Sequence, residues 1–108
     1  MELIVFVGNN GYAYEVMEAA KKLGATSGTI LHGRSSRKSD KKLFGVTIHQ
    51  EKEVLLIVTI SSLKKIIMEG LNKNYGISSE AEGITFSLTI SDAFGIDTNI
   101  RDLGDIVI

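Results

Sequence analysis

Apolar and polar residues divide the chain into blocks of two different periods. Leu3 to Gly8 (LIVFVG) is apolar without alternation, the pattern of a strand buried on both faces. Asn9, Asn10 and Gly11 follow as a turn and are expected to supply a helix N-cap. Tyr12, Val16, Ala19, Ala20 and Leu23 recur at helical spacing, with Glu15, Glu18, Lys21 and Lys22 on the other face. The acids precede the bases, which suits the helix dipole, and Gly24 is placed to stop the helix. Thr26 to His32 reads as a second strand centred on Ile30 and Leu31. Arg34 to Lys42 (RSSRKSDKK) has no apolar residue and reads as a loop. Phe44 to His49 (FGVTIH) is expected to form a short arm pairing with the third strand, Val54 to Ile60 (VLLIVTI). Ser61 or Ser62 then caps a helix whose apolar positions are Leu63, Ile66, Ile67 and Leu71. Gly76 ends it, Ile77 to Glu82 is a polar loop, and Gly83 to Ile90 (GITFSLTI) alternates as a half-buried strand. Residues 91–108 are mixed, and Ile106, Val107 and Ile108 suggest a tail that docks.

Strand, helix, strand, loop, strand, helix, strand is two βαβ units end to end. It predicts an α+β, ferredoxin-like βαββαβ domain over residues 1–108: a four-stranded antiparallel sheet with two helices on one face. The other face has no helix to cover it, yet strands one and three are apolar on both faces. Such a patch marks an interface, and copies of the same chain in closed cyclic symmetry are the expected cover.

Composition narrows the classes. The chain has 108 residues, 44% of them hydrophobic, enough for one modest core. A net charge of −1 gives no general pull toward nucleic acid or anionic lipid. No apolar run approaches the ~20 residues of a membrane span, and no signal peptide is visible, so a cytoplasmic protein is expected. The absence of cysteine excludes disulfides and thiolate metal sites.

Gly24-Ala25-Thr26-Ser27-Gly28-Thr29-Ile30-Leu31-His32-Gly33-Arg34 resembles the end of helix one and strand two of the PII signal-transduction (nitrogen regulatory) family, in its divergent PII-like members. The hydrophilic loop, the apolar strand, the amphipathic helix and Gly83-Ile84-Thr85-Phe86 follow in the family's order. The resemblance implies a homotrimer of ferredoxin-like subunits binding ATP or ADP, often with 2-oxoglutarate, in clefts between subunits. It makes residues 35–44 the T-loop that reaches a protein partner, and residues 76–83 the B-loop that cradles phosphates. Val7, Thr29 and Ile57 fall at positions around the adenine, and Gly76, Glu82 and Gly83 in the phosphate loop.

The departures are as informative. The family's phosphate loop reads roughly TGxxGDGK; here Ala81 replaces one glycine, Ile84 the lysine, and Glu80 and Glu82 sit where phosphates would lie. Two family arginines align with Gly95 and Asp97. Like charges in a cleft repel, so triphosphate binding in the family's way is disfavoured. AMP, a nucleoside, another small effector or no nucleotide stay open. No tyrosine lies between Gly33 and Gln50 to be nucleotidylated.

Arg34, Ser35, Ser36, Arg37, Lys38, Lys41 and Lys42 oppose only Asp40, and such a set is an anion or partner hook. His32 and His49, with Asp40 or Glu51, give the alternative: a trimeric ferredoxin-like metal binder of the copper-tolerance type. Catalysis has little support, since there is no nucleophile elbow and no Cys–His pair. Gly8-Asn9-Asn10-Gly11 lacks the lysine and spacing of a phosphate loop, although helix one starts just after it and could hold an anion. The sequence thus reads as a regulatory binding protein, not an enzyme.

Overall fold

The computed structural model describes residues 1–36, 42–47 and 50–95, and for Leu43 and Thr47 the backbone alone. Strand β1 (Glu2–Asn9) leads to helix α1 (Ala13–Lys22) and strand β2 (Thr29–Arg34). Two short strands follow, β3 (Lys42–Leu43) and β4 (Val46–Thr47), then β5 (Glu51–Thr59), α2 (Ser61–Tyr75) and β6 (Ile84–Thr89). The main sheet has the order β2-β5-β1-β6, with every neighbouring pair antiparallel. This is the expected ferredoxin-like arrangement.

The apolar runs form the central strands because only a central strand buries both faces. Ile4 and Phe6 of β1 and Leu55 and Ile57 of β5 pack beneath the helices against Val16, Met17, Ala20, Ile67 and Leu71. Each of these side chains larger than alanine, fully buried, contributes roughly 1.5–3 kcal/mol. Ile66, expected on this face, is exposed instead. Gly70 lets the helices approach, because a Cβ there would overlap Leu23. Alternation turns Leu3, Val5 and Val7 and Val54, Leu56 and Val58 to the opposite face. Leu31, Ile84, Phe86 and Leu88 extend that face and remain exposed, so the chain alone leaves a broad apolar surface uncovered.

The helix ends differ from expectation. No side chain of the 9–11 turn caps α1: its N-cap is Tyr12, and Glu53 of β5 supplies the acceptor from across the fold. Neither Ser61 nor Ser62 caps α2, whose N-cap is Ile60. Ser61 begins the helix and turns its hydroxyl to Glu2 Oε1 at 3.4 Å. The α1 stop is as expected. Gly24 has φ +115°, its N–H donates to Lys21 O, and Ala25 N–H reaches back to Ala20 O, a full Schellman closure.

Strand β2 lies later than expected, because pairing with β5 sets it: Thr29 opposes Leu56 and Arg34 opposes Glu51. Among the described residues, the arm expected from Phe44 to His49 shows no pairing with the third strand. Val46 and Thr47 pair with Leu43 and Lys42 in their own two-stranded hairpin. The expected docking of residues 106–108 lies outside the described residues. Among the described residues no helix is long and apolar enough to cross a membrane.

Candidate functional site

One end of the sheet carries a cleft of about 350 Å³. Val7 of β1, Lys52 and Val54 of β5 and Ile84 of β6 line its sheet side; Gly33 to Ser36, leaving β2, and Ile77 and Glu82, in the loop between α2 and β6, line its rim. The cleft therefore lies where the basic loop and the second polar loop meet. Of the candidates read from the sequence, it brings together Val7, Arg34, Ser35, Ser36 and Glu82.

The other candidates lie elsewhere. Ile57 is fully buried beneath the helices, on the face opposite Val7, because it pairs with Ile4 of the core. It is a core residue and cannot share a surface with Val7 within one chain. Thr29 lies on β2 four residues before Gly33, about 13 Å along the strand. Gly76 closes α2 with extended φ and ψ and lines a separate recess with Asn72, Lys73 and Ile77 to Ser79. Gly83 is packed so closely that a Cβ would overlap Phe6 and the Tyr75 carbonyl. Lys42 is exposed on β3. Arg37, Lys38, Lys41 and His49 lie outside the described residues.

Asn9 organises the cleft. Its amide oxygen accepts from Lys52 Nζ at 2.7 Å and Gln50 Nε2 at 2.8 Å. Its amide nitrogen donates to the Glu80 carbonyl at 2.8 Å and to Glu82 Oε2 at 3.2 Å. Every donor and acceptor of that amide is thus used. Its backbone N–H also donates to Ala81 O at 2.8 Å, pinning the second loop to the end of β1. Sequence reasoning reads Asn9 as a turn residue and starts the third strand only at Val54, so it passes over Lys52. The available signal is strand parity, since Lys52 lies two residues before Val54 and on the same face.

The two loop acids do different things. Glu82 lines the cleft with φ +46°, a left-handed conformation that costs a non-glycine residue energy. Glu80 turns away and accepts from the Tyr12 hydroxyl at 3.0 Å. That hydrogen bond, then desolvation, then the charges of Glu80 and Glu15, hold the Tyr12 phenol above its usual range. Tyr75 is raised as well, chiefly by burial and then by a hydrogen bond to Glu15.

The start of helix α1 is already satisfied. Glu53 Oε1 accepts from the N–H of Gly11 and from that of Ala13 at 3.2 Å, so the anion at this helix end is the protein's own. The helix start that the sequence leaves open to an external anion is filled. Glu53 Oε2 lies 3.8 Å from His32 Nδ1, on a mostly exposed imidazole. Among the described residues no group of three or more metal-ligating side chains forms.

The sheet order and the two helices define a ferredoxin-like fold. A solved structure of a provisionally assigned PII-like signaling protein from Thermus thermophilus matches with a TM-score of 0.62 and 18% sequence identity. The match covers 81% of this chain and 83% of that one. No protein-family model matches the chain, and no curated protein matches it in sequence. At this identity the likeness speaks for the fold.

The charges of the cleft suit a polyphosphate poorly. Among the described residues Lys52 is its one buried cation, Arg34 at the rim has Nε 3.4 Å from Glu51 Oε1, and Glu82 carries negative charge into the cleft.

Proposed function

We propose that this chain is a PII-like regulatory protein. It works as a homotrimer, takes a small effector in the cleft at the end of the sheet, and meets a protein partner through the loop after β2. It acts by binding and not by catalysis. The observation that carries the reading is the cleft itself, built where the loop leaving β2 meets the loop between α2 and β6 on a PII-like fold. The uncovered apolar face supports the assembly, because a closed ring of copies would bury it. An effector touching Arg34 to Ser36 would change the order of the loop they begin, a local event with a readout at the partner surface.

The test is light scattering followed by calorimetric titration of the purified protein. The titrants are AMP, ADP and ATP, each with and without Mg²⁺ and 2-oxoglutarate, and a panel of amino acids. A particle of three 11.7 kDa chains that binds one titrant saturably, and more weakly after Arg34→Ala, supports the reading. A monomer, or a trimer that binds none of them, overturns it.

A further inference from the structure

Lys52 lies at the foot of the cleft with only 8% of its surface exposed. Its ammonium has three donors, and among the described residues it gives one, to the neutral amide oxygen of Asn9. No carboxylate of the described residues lies within ion-pair distance of it. A cation this deeply buried is costly without an anion, so the missing anion is looked for in a ligand.

Glu82 stands on the other side of the same amide. Asn9 touches Lys52 with its oxygen and Glu82 with its nitrogen, so one saturated planar group sets the spacing of cation and anion. The left-handed backbone at Glu82 is held by its N–H to Ser79 O at 3.0 Å. Strain retained at a cleft is a mark of a positioned functional group. Val7, Val54 and Ile84 form an apolar wall beside the pair.

We infer that the cleft takes a small zwitterion with an apolar side chain, an aliphatic α-amino acid, its carboxylate on Lys52 and its ammonium toward Glu82. This rests on the reading of the cleft as an effector site. In an α-amino acid the two charges are separated by one carbon, matching groups that share one amide. A phosphate monoester brings about −1.5 to −2 charge, which Lys52 does not balance, while Arg34 at the rim is already paired with Glu51 and Glu82 opposes it.

The test is calorimetry of the full-length protein with L-leucine and L-valine, beside leucinamide, 4-methyl-2-oxopentanoate, AMP and ATP. Leucine or valine is expected to bind saturably. Leucinamide, lacking the carboxylate, and the oxo acid, lacking the ammonium, are expected to bind roughly tenfold more weakly or worse. Lys52→Gln, which keeps a donor for Asn9, weakens leucine by a similar factor. Glu82→Gln weakens leucine but not the oxo acid. The analogue series on the unaltered protein decides the matter even if a variant fails to fold. An oxo acid bound as tightly as leucine overturns the role of Glu82. Nucleotide binding without amino-acid binding overturns the inference and leaves the proposed function standing. Binding of neither class overturns both.

Discussion

The Glu53 carboxylate on β5 accepts from the backbone N–H of Ala13, 3.2 Å away and 40 residues earlier in the chain, and so starts helix α1 from across the fold. The same oxygen takes the Gly11 N–H. Side-chain caps of this kind are worth roughly 1 kcal/mol, and stranding partly buried N–H groups adds to that. Glu53→Ala is therefore expected to lose about 1–2 kcal/mol in urea unfolding followed by circular dichroism. Glu53→Gln keeps an acceptor without the charge and should fall between. His32→Ala should cost little, because that imidazole is mostly exposed. An alanine variant as stable as the parent would show that the helix does not depend on this contact.

How much of this is legible in the sequence depends on distance along the chain. β1 and β5 are readable because uninterrupted apolar runs fit only a central strand. The stop of α1 is readable because Gly24 is local to it. The cap of α1 is not, since nothing near Ala13 announces Glu53. The limits of β2 escape for a related reason: they follow the register with Leu56 and Glu51, not the strand's own composition. The site divides the same way. Val7 and Glu82 can be named through the family resemblance. Ile57 is grouped with Val7 through that resemblance alone, and the Ile4–Ile57 pairing, which puts Ile57 under the helices, is visible only in the folded sheet. Lys52 and Asn9 escape notice there because the two partners lie 43 residues apart.

Asn9 should govern the order of the second loop. Asn9→Ala removes the side-chain hydrogen bonds to the Glu80 carbonyl, Glu82, Gln50 and Lys52 but keeps the backbone bond to Ala81. The loop should stay attached yet open more often. Amide exchange at Ser79, Glu82 and Gly83 is expected to speed up roughly tenfold, corresponding to about 1.4 kcal/mol. Unchanged exchange at these three amides would remove Asn9 from the role given to it.

Tyr12 predicts the behaviour at alkaline pH. Its phenol is held above the ordinary value of 10.0, first by the hydrogen bond to Glu80. The folded state then keeps this proton more tightly than the unfolded state. The stabilisation is fully present below pH 10 and is lost as pH rises through the folded value. Tyr12→Phe removes this contribution, so stability above pH 10 should fall less steeply, with the slope from Tyr75 remaining. Phenolate absorbance should show one late-titrating group fewer. An identical alkaline profile in the variant would mean that the Tyr12–Glu80 bond does not persist in solution.

The uncovered sheet face makes the sharpest claim about assembly. Phe86 and Leu88 of β6 are 43% and 55% exposed in the single chain, so neither supports the core beneath the helices. A charge there leaves the subunit's own packing intact. It would instead meet a second copy, if one covers the face, and an unpaired charge in a buried interface is strongly unfavourable. Phe86→Lys or Leu88→Glu is thus expected to dissociate a trimer into 11.7 kDa monomers by light scattering while the circular dichroism spectrum is retained. Loss of the fold along with the assembly would mean that the face stabilises the subunit itself. An unaltered trimer would place the contact between copies on another surface and leave this one to a different partner.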